Sequence, residues 1–169
     1  MASTKMLEAL NKQVQREFQS SYIYIGMESY FSEIGLDGFA NFFHVQSLEE
    51  RDHAYRLFNY INSVSGKVEL ETLEKPKCDY KSPLDALEVT LNHEKFITKS
   101  INELMDLAVL EKDHASISFL NWFVDEQVEE EESMDKIIKK LKLFKDDPRG
   151  LYMIDTELAN RVFTPSTAE

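Results

Sequence analysis

The chain is poor in the residues that interrupt helices or crosslink folds. Glycine occurs 5 times and proline 4 times in 169 residues, so long uninterrupted helices are allowed almost everywhere. Cys78 is the only cysteine, which excludes an intrachain disulfide and argues against a cysteine-based zinc site. A lone thiol in so weak a context reads as a loop cysteine without a role, and it suits a reducing cytosol. The N-terminus, MASTKMLEALNKQ, lacks an apolar signal-like core, and no apolar run approaches the ~20 residues that cross a bilayer. The expectation is a soluble, cytoplasmic protein with no membrane partner. Positive charge is also scarce. The 19 Lys+Arg face 31 Asp+Glu, a formal net charge of -12, which excludes a basic face for nucleic acid and favours attraction of cations. At this length one domain over residues 1–169 is expected, with enough chain for a full core.

Heptad periodicity is what the chain has in abundance. Four stretches each carry an apolar stripe that turns polar near its middle. The first reads Leu7, Leu10, Val14, Glu17, Ser21, Tyr24. The second reads Phe43, Gln46, Glu50, His53, Leu57, Tyr60, Val64. The third reads Leu84, Leu87, Leu91, Glu94, Thr98, Ile101, Met105. The fourth reads Leu120, Phe123, Gln127, Glu130, Met134, Ile137, Leu141, Phe144. Steps of three and four residues put each set on one helix face, and four such faces make the core of an all-α four-helix bundle. That core contains Glu17, Glu50, Glu94 and Glu130 with His53 beside them, and no Lys or Arg lies on the stripes. Burying several unpaired carboxylates costs several kcal/mol each. Something cationic must sit among them, and two divalent metal ions would balance four carboxylates.

Punctuation divides the chain accordingly. The first helix is expected over about 4–34, stopped by Gly35, and Asp37 is the expected N-cap of the second. The second runs to about 65, with Gly66 as its C-terminal stop. Residues 67–82 hold Pro76 and Cys78 and little periodicity, so they read as a long connection across the bundle, which lets the third helix run parallel to the second. Ser82-Pro83 opens the third helix, which ends near Lys112. Asp113 caps the fourth, which continues to about Lys145. The bundle thus occupies about 4–145. Asp147-Pro148 starts a short fifth helix over about 148–160, with Leu151, Ile154 and Leu158 on one face, and residues 161–169 read as a loose tail.

Glu50-x-x-His53 is the most specific local signal. One helical turn separates the two residues, so a carboxylate oxygen and an imidazole nitrogen can reach one metal ion. Gln127-x-x-Glu130 repeats the geometry with weaker ligands, and Glu17 and Glu94 add a carboxylate from each remaining helix. Oxygen ligands with one imidazole suit iron or manganese better than a thiophilic metal. His44, His93 and His114 do not repeat this pair logic and read as surface or packing residues.

Four helices each supplying such a carboxylate is the known arrangement of ferritin-like di-metal proteins. Over nearly its whole length the chain resembles the prokaryotic-type non-haem ferritins. Glu17, Tyr24, Glu49-Glu50-x-x-His53, Glu94, Trp122, Gln127 and Glu129-Glu130 carry the likeness, with the long crossover loop and the short fifth helix. The resemblance implies one iron position at Glu17, Glu50 and His53, and a second at Glu50, Glu94 and Glu130, with Glu50 as the bridge. It implies that Gln127 orients the second position or hydrogen-bonds bound oxygen species, and that Tyr24 donates a hydrogen bond or an electron or serves as a core tyrosine. Trp122 reads as packing. In such ferritins the positions of Glu49, Glu126 and Glu129 form a third iron site facing an inner cavity; a solvated acidic face is the alternative.

Other branches of the family differ. Haem-binding bacterioferritins carry a methionine at the position of Arg51 and a second Glu-x-x-His where this chain has Gln127-x-x-Glu130, so no haem is expected. Animal ferritins have acidic residues at the positions of Ile117 and Leu120, lining an iron-access channel; these are apolar here. The resemblance implies iron storage with ferroxidase activity. Two Fe(II) ions per subunit would be oxidised by dioxygen or hydrogen peroxide, and a ferric mineral would be deposited in a hollow homo-oligomer of 24 subunits. Two alternatives use the same residues. A di-iron oxidase acting on an organic substrate would need a pocket beside the metals, and a purely structural bundle would need its buried glutamates satisfied without metal.

Overall fold

The computed structural model describes residues 2–144 and 147–166. Among them lie five helices and no strand: α1 (Thr4–Glu33), α2 (Asp37–Ser63), α3 (Pro83–Glu111), α4 (His114–Phe144) and α5 (Pro148–Leu158). The first four, of 27 to 31 residues, are about 40–47 Å long. The fourth was expected to end near Lys145, which lies outside the described residues, as do 167–169 of the expected tail.

Most boundaries follow local chemistry. Ser3 accepts a hydrogen bond from the Met6 amide, Ser82 from the Asp85 amide, Asp113 from the Ser116 amide and Asp147 from the Arg149 amide. Two boundaries depart from expectation. Asp37 is the first helical residue of α2 rather than its cap, and Leu36 at the cap position offers no side-chain acceptor. The acceptor comes from α5, where Asp155 Oδ1 lies 3.0 Å from the Phe39 amide. Gly38 makes this approach possible: a Cβ there would stand 1.7 Å from the Asp155 carbonyl oxygen. At the end of α2, Ser65 rather than Gly66 takes the left-handed conformation (φ 60°). Gly66 donates to the Ile61 carbonyl at 2.8 Å, and a Cβ there would meet Leu7 Cδ2 at 2.6 Å, so this glycine answers a packing need.

Cross-links between helices fix the topology. α1 and α2 form an antiparallel hairpin across Gly35 (φ +75°), and α3 and α4 form another across Lys112 and Asp113. Between the hairpins, Ser100 bonds Gln13, Glu94 bonds Tyr24 and Thr90 contacts Met27, so α3 runs antiparallel to α1 and hence parallel to α2. Gln46 to Glu130 and Tyr60 to Ser116 order α2 against α4 in the same way. The crossover between α2 and α3 lies against α1 at Gly26, where a Cβ would come within 2.7 Å of the Lys77 carbonyl oxygen. No helix among the described residues is long and apolar enough to cross a membrane.

The apolar core is divided in two. One cluster gathers Tyr24, Met27, Phe31, Phe39, Phe43, Leu87, Met134 and Ile138, with Ile154 and Leu158 of α5. The other gathers Met6, Leu10, Val14, Leu57, Ile61, Ile97, Ile101, Leu120 and Phe123. Between them in sequence on every long helix lie Glu17, Glu50, Glu94 and Glu130, all buried. The α3 stripe is the one that needs correction. Leu84, Leu91, Thr98 and Met105 are only half-buried, while Thr90, Ile97 and Leu104 are buried. The face of α3 centres on Leu87, Glu94, Ile101 and Ala108, and the burial falls on the flank turned toward α1 and its partners rather than on the expected one.

Candidate metal centre

Antiparallel pairing of α1 and α2 brings Glu17 beside the Glu50-x-x-His53 turn. Ligand-capable atoms of Glu17, Glu50 and His53 all lie within 4.8 Å of one another, the only such group of three among the described residues. His53 Nδ1 is 3.6 Å from Glu50 Oε2. That oxygen is buried and has no hydrogen-bond partner, an arrangement that native cores rarely tolerate.

Glu94 and Glu130 enter the same layer from α3 and α4 but do not complete a second group of three at that separation. Neutral donors hold each of them. The Tyr24 hydroxyl donates to Glu94 Oε1, and Gln127 Nε2 donates to Glu94 Oε2 at 3.2 Å and to the Glu94 carbonyl at 3.3 Å. Gln46 Nε2 donates to Glu130 Oε2 at 2.8 Å, and the other side-chain atom of Gln46, Oε1, is buried without a partner.

These carboxylates are dry, between 0% and 6% exposed, and no Lys or Arg among the described residues is buried with them. Burial raises Glu50 far above the ordinary carboxylate range, and the charges of Glu94, Glu17 and Glu130 push it further. Burial likewise raises Glu94 to about 8, with the Glu130 charge adding to it and the Tyr24 and Gln127 donors opposing. Glu17 is raised by burial and held back by His53 and Gln13. Tyr24 is raised well above its usual range, first by burial and then by the Glu94 charge, so it remains a phenol donor. The centre therefore stores protons that a cation would replace. Oxygen donors in excess, one imidazole and an orphaned carboxylate oxygen fit a hard or borderline divalent ion such as iron.

Two supporting residues escaped the sequence reading. Gln13 is fully buried; its Nε2 donates to Glu17 Oε1 at 2.7 Å, and its Oε1 accepts from Ser100 and Arg16 at 2.8 and 3.2 Å. It lies one residue before Val14, off the heptad stripe, on the flank that meets α3. Gln46 was on its stripe without a role. The available signal was spacing, since each glutamine sits one helical turn before a site glutamate, Glu17 or Glu50. His93 packs as expected: the Ser20 hydroxyl lies 2.8 Å from its Nε2, its ring meets Tyr24 edge-on, and burial lowers it to about 4. Trp122 also packs, its ring 5.2 Å from that of His53 with the Arg56 guanidinium 4.2 Å above it.

The outer glutamates are less united. Glu126 Oε1 stands 3.7 Å from His53 Nε2. Glu49 Oε2 is bonded by Arg161 Nη2 at 2.6 Å; burial raises Glu49 to about 7 against the opposing Arg161 charge. Both line a cavity of about 280 Å³ that reaches His53, together with Asp52, Trp122 and residues 164–166. Glu129 is exposed and does not line it.

Comparison with known proteins gives a consistent result. The ferritin-like domain family matches residues 7–144. The bacterial non-heme ferritin of Staphylococcus aureus (strain MRSA252) is 40% identical over 163 residues, 96% of this chain and 98% of that protein. The bacterial non-heme ferritin of Campylobacter jejuni is 39% identical over 160 residues, 95% of this chain and 96% of that protein. A solved structure described as a novel open pore ferritin from the hyperthermophilic archaeon Archaeoglobus fulgidus superposes with a TM-score of 0.95 at 45% identity, covering 96% of this chain and 100% of that one.

Proposed function

Because this chain belongs to the ferritin family, whose function is iron storage, we propose that it oxidises Fe(II) at the buried carboxylate layer and stores the ferric product within a hollow shell of its own copies. The observation that carries this reading is the orphaned Glu50 oxygen, set between Glu17, His53 and the raised carboxyl of Glu94 with no protein cation to balance them.

Iron is the substrate. Two Fe(II) ions displace the protons that burial keeps on Glu50 and Glu94, one ion held by Glu17, Glu50 and His53 and the other by Glu50, Glu94 and Glu130. Glu50, between both sets, is the shared carboxylate. Gln13 fixes Glu17, Gln46 fixes Glu130, and Gln127 with Tyr24 fixes Glu94, so these three ligands are already oriented before iron arrives. Each Fe(II) gives up one electron. Dioxygen taking two becomes hydrogen peroxide, and hydrogen peroxide taking two becomes water. The two ferric ions carry two more charges than four carboxylates balance, so they bind oxide or hydroxide from water, release its protons and fit the site less well. Product then moves toward Glu126 and Glu49, which with Glu129 form a third, wetter iron position. Tyr24 donates a hydrogen bond to Glu94 throughout. The cavity beside His53 is lined mainly by acidic and hydroxyl groups, which suits ions rather than an apolar organic substrate.

In this reading the protein works in the cytoplasm, and 24 subunits form the shell. Light scattering combined with iron counting after aerobic loading tests it. A large particle holding many more irons than two per chain supports storage. A monomer or dimer that stops at two irons per chain refutes it and favours an oxidase.

A further inference from the structure

We propose that residues 161–166 form a gate over the outer glutamates, with the Arg161 guanidinium acting as a resident cation on Glu49 that an arriving metal ion must displace. The proposal rests on the reading of the outer position given above.

Three contacts lay this segment along α2. Asn41 Nδ2 donates to the carbonyls of Leu158, Ala159 and Arg161 at 3.2, 3.3 and 3.0 Å, fixing the point where the chain leaves α5. Arg161 then reaches Glu49 Oε2 at 2.6 Å while its guanidinium lies 4.4 Å from the ring of Phe42. Farther on, the amide and hydroxyl of Ser166 both donate to Asp52 Oδ2. Phe42 and Glu49 are two turns apart on one face of α2, so the segment runs along that face rather than away from it.

Its position makes the contact more than a tether. Thr164, Pro165 and Ser166 wall the cavity whose opposite side is Glu49, His53, Trp122 and Glu126. The same segment thus narrows the approach to His53 and neutralises one of the carboxylates that an outer metal ion needs. Among the described residues Arg161 is held by one acceptor only. Its Nη1 is buried and makes no hydrogen bond among the described residues, so the guanidinium lacks the two-pronged grip that makes arginine–carboxylate pairs hard to part. A divalent ion carries twice the charge into the same group of acids and bonds Glu49 directly. Arg161 then leaves, and the segment is held to α2 only through Asn41 and the Ser166–Asp52 pair.

Zinc(II), which is redox-inert, separates this gate from oxidation chemistry. Metal-free assembled protein is titrated by calorimetry while the emission of Trp122, the sole tryptophan, is followed. In the parent, tight binding at the inner positions is followed by a weaker outer phase that changes the Trp122 emission. In Arg161→Gln the outer phase tightens about tenfold, the scale of one charge-assisted hydrogen bond, the inner phase is unchanged, and the metal-free emission already resembles the filled parent. Arg161→Lys retains the competing charge and stays near the parent. An outer phase that is unchanged or weakened in Arg161→Gln overturns the gate while leaving the inner centre standing. Missing inner phases with a tightened outer phase sink the oxidation site and keep the gate.

Discussion

Replacing Glu94 with glutamine should stabilise the metal-free protein, and increasingly so as the pH rises. Burial lifts the folded-state pKa of Glu94 to about 8 from 4.5. Between those values the folded protein holds a proton that the unfolded chain has released. The parent therefore loses stability as pH rises from about 4.5 through 8, by up to about 1.4 kcal/mol per pH unit from this group. From pH 5.5 to 7.5 the loss is roughly 2–3 kcal/mol per chain. An unfolding entropy of about 2.1 cal/mol/K per residue gives about 0.35 kcal/mol/K for this length, so the melting temperature should fall by about 8 °C over that interval. Glutamine keeps an acceptor for the Tyr24 hydroxyl and cannot titrate. Its curve should be flatter by about 5–8 °C and should lie above the parent at pH 7.5. The assay is scanning calorimetry after removal of metal by a chelator, repeated with zinc(II). Zinc should restore the parent at pH 7.5 and do much less for the variant. Equal slopes in the two proteins, or a variant less stable at every pH, would refute the idea that uncompensated carboxylates strain this core.

Glu50→Ala should abolish fast iron oxidation, since it removes the carboxylate proposed to be shared by both positions; an unchanged initial rate in stopped-flow absorbance, with two irons still bound per chain, would contradict that role. Replacing Glu49, Glu126 and Glu129 together with glutamine should spare the first oxidative turnover while changing iron consumed per dioxygen and later mineral growth. If that variant matches the parent in both, the three residues are an ordinary wet face. Gly38→Ala should destabilise the chain by more than Asp155→Ala, which removes a cap worth about 1 kcal/mol. The added Cβ collides with the Asp155 backbone and drives α5 from α2. Melting temperatures of the two variants in the reverse order would show that α5 is not seated there.

The bundle was legible because burial on each helix follows the three-and-four spacing that the sequence shows directly. Glu17, Glu50, Glu94 and Glu130 stand out as charges on those faces, and the structure buries all four. What the spacing hides is interaction between helices. The cap of α2 belongs to Asp155, 118 positions after Asp37 along the chain, and only a glycine at residue 38 hints that another backbone approaches. Gln13 lies one residue off the stripe, where a heptad reading expects solvent, but α3 covers it through Ser100. The α3 face itself is shifted because the stripe on that helix is wide, and its neighbours decide which flank is dry. Arg161 is the extreme case: nothing in a polar tail announces that its charge returns to Glu49, 112 positions earlier.

The central claim is that iron is bound and oxidised inside the bundle, at the layer that divides its apolar core. Crystals soaked with Fe(II) without oxygen, with diffraction measured on both sides of the iron absorption edge, address it most directly. Two anomalous peaks are expected in each chain, one among Glu17, Glu50 and His53 and one among Glu50, Glu94 and Glu130. Anomalous density confined to the outer acids, with none between the four helices, would contradict it.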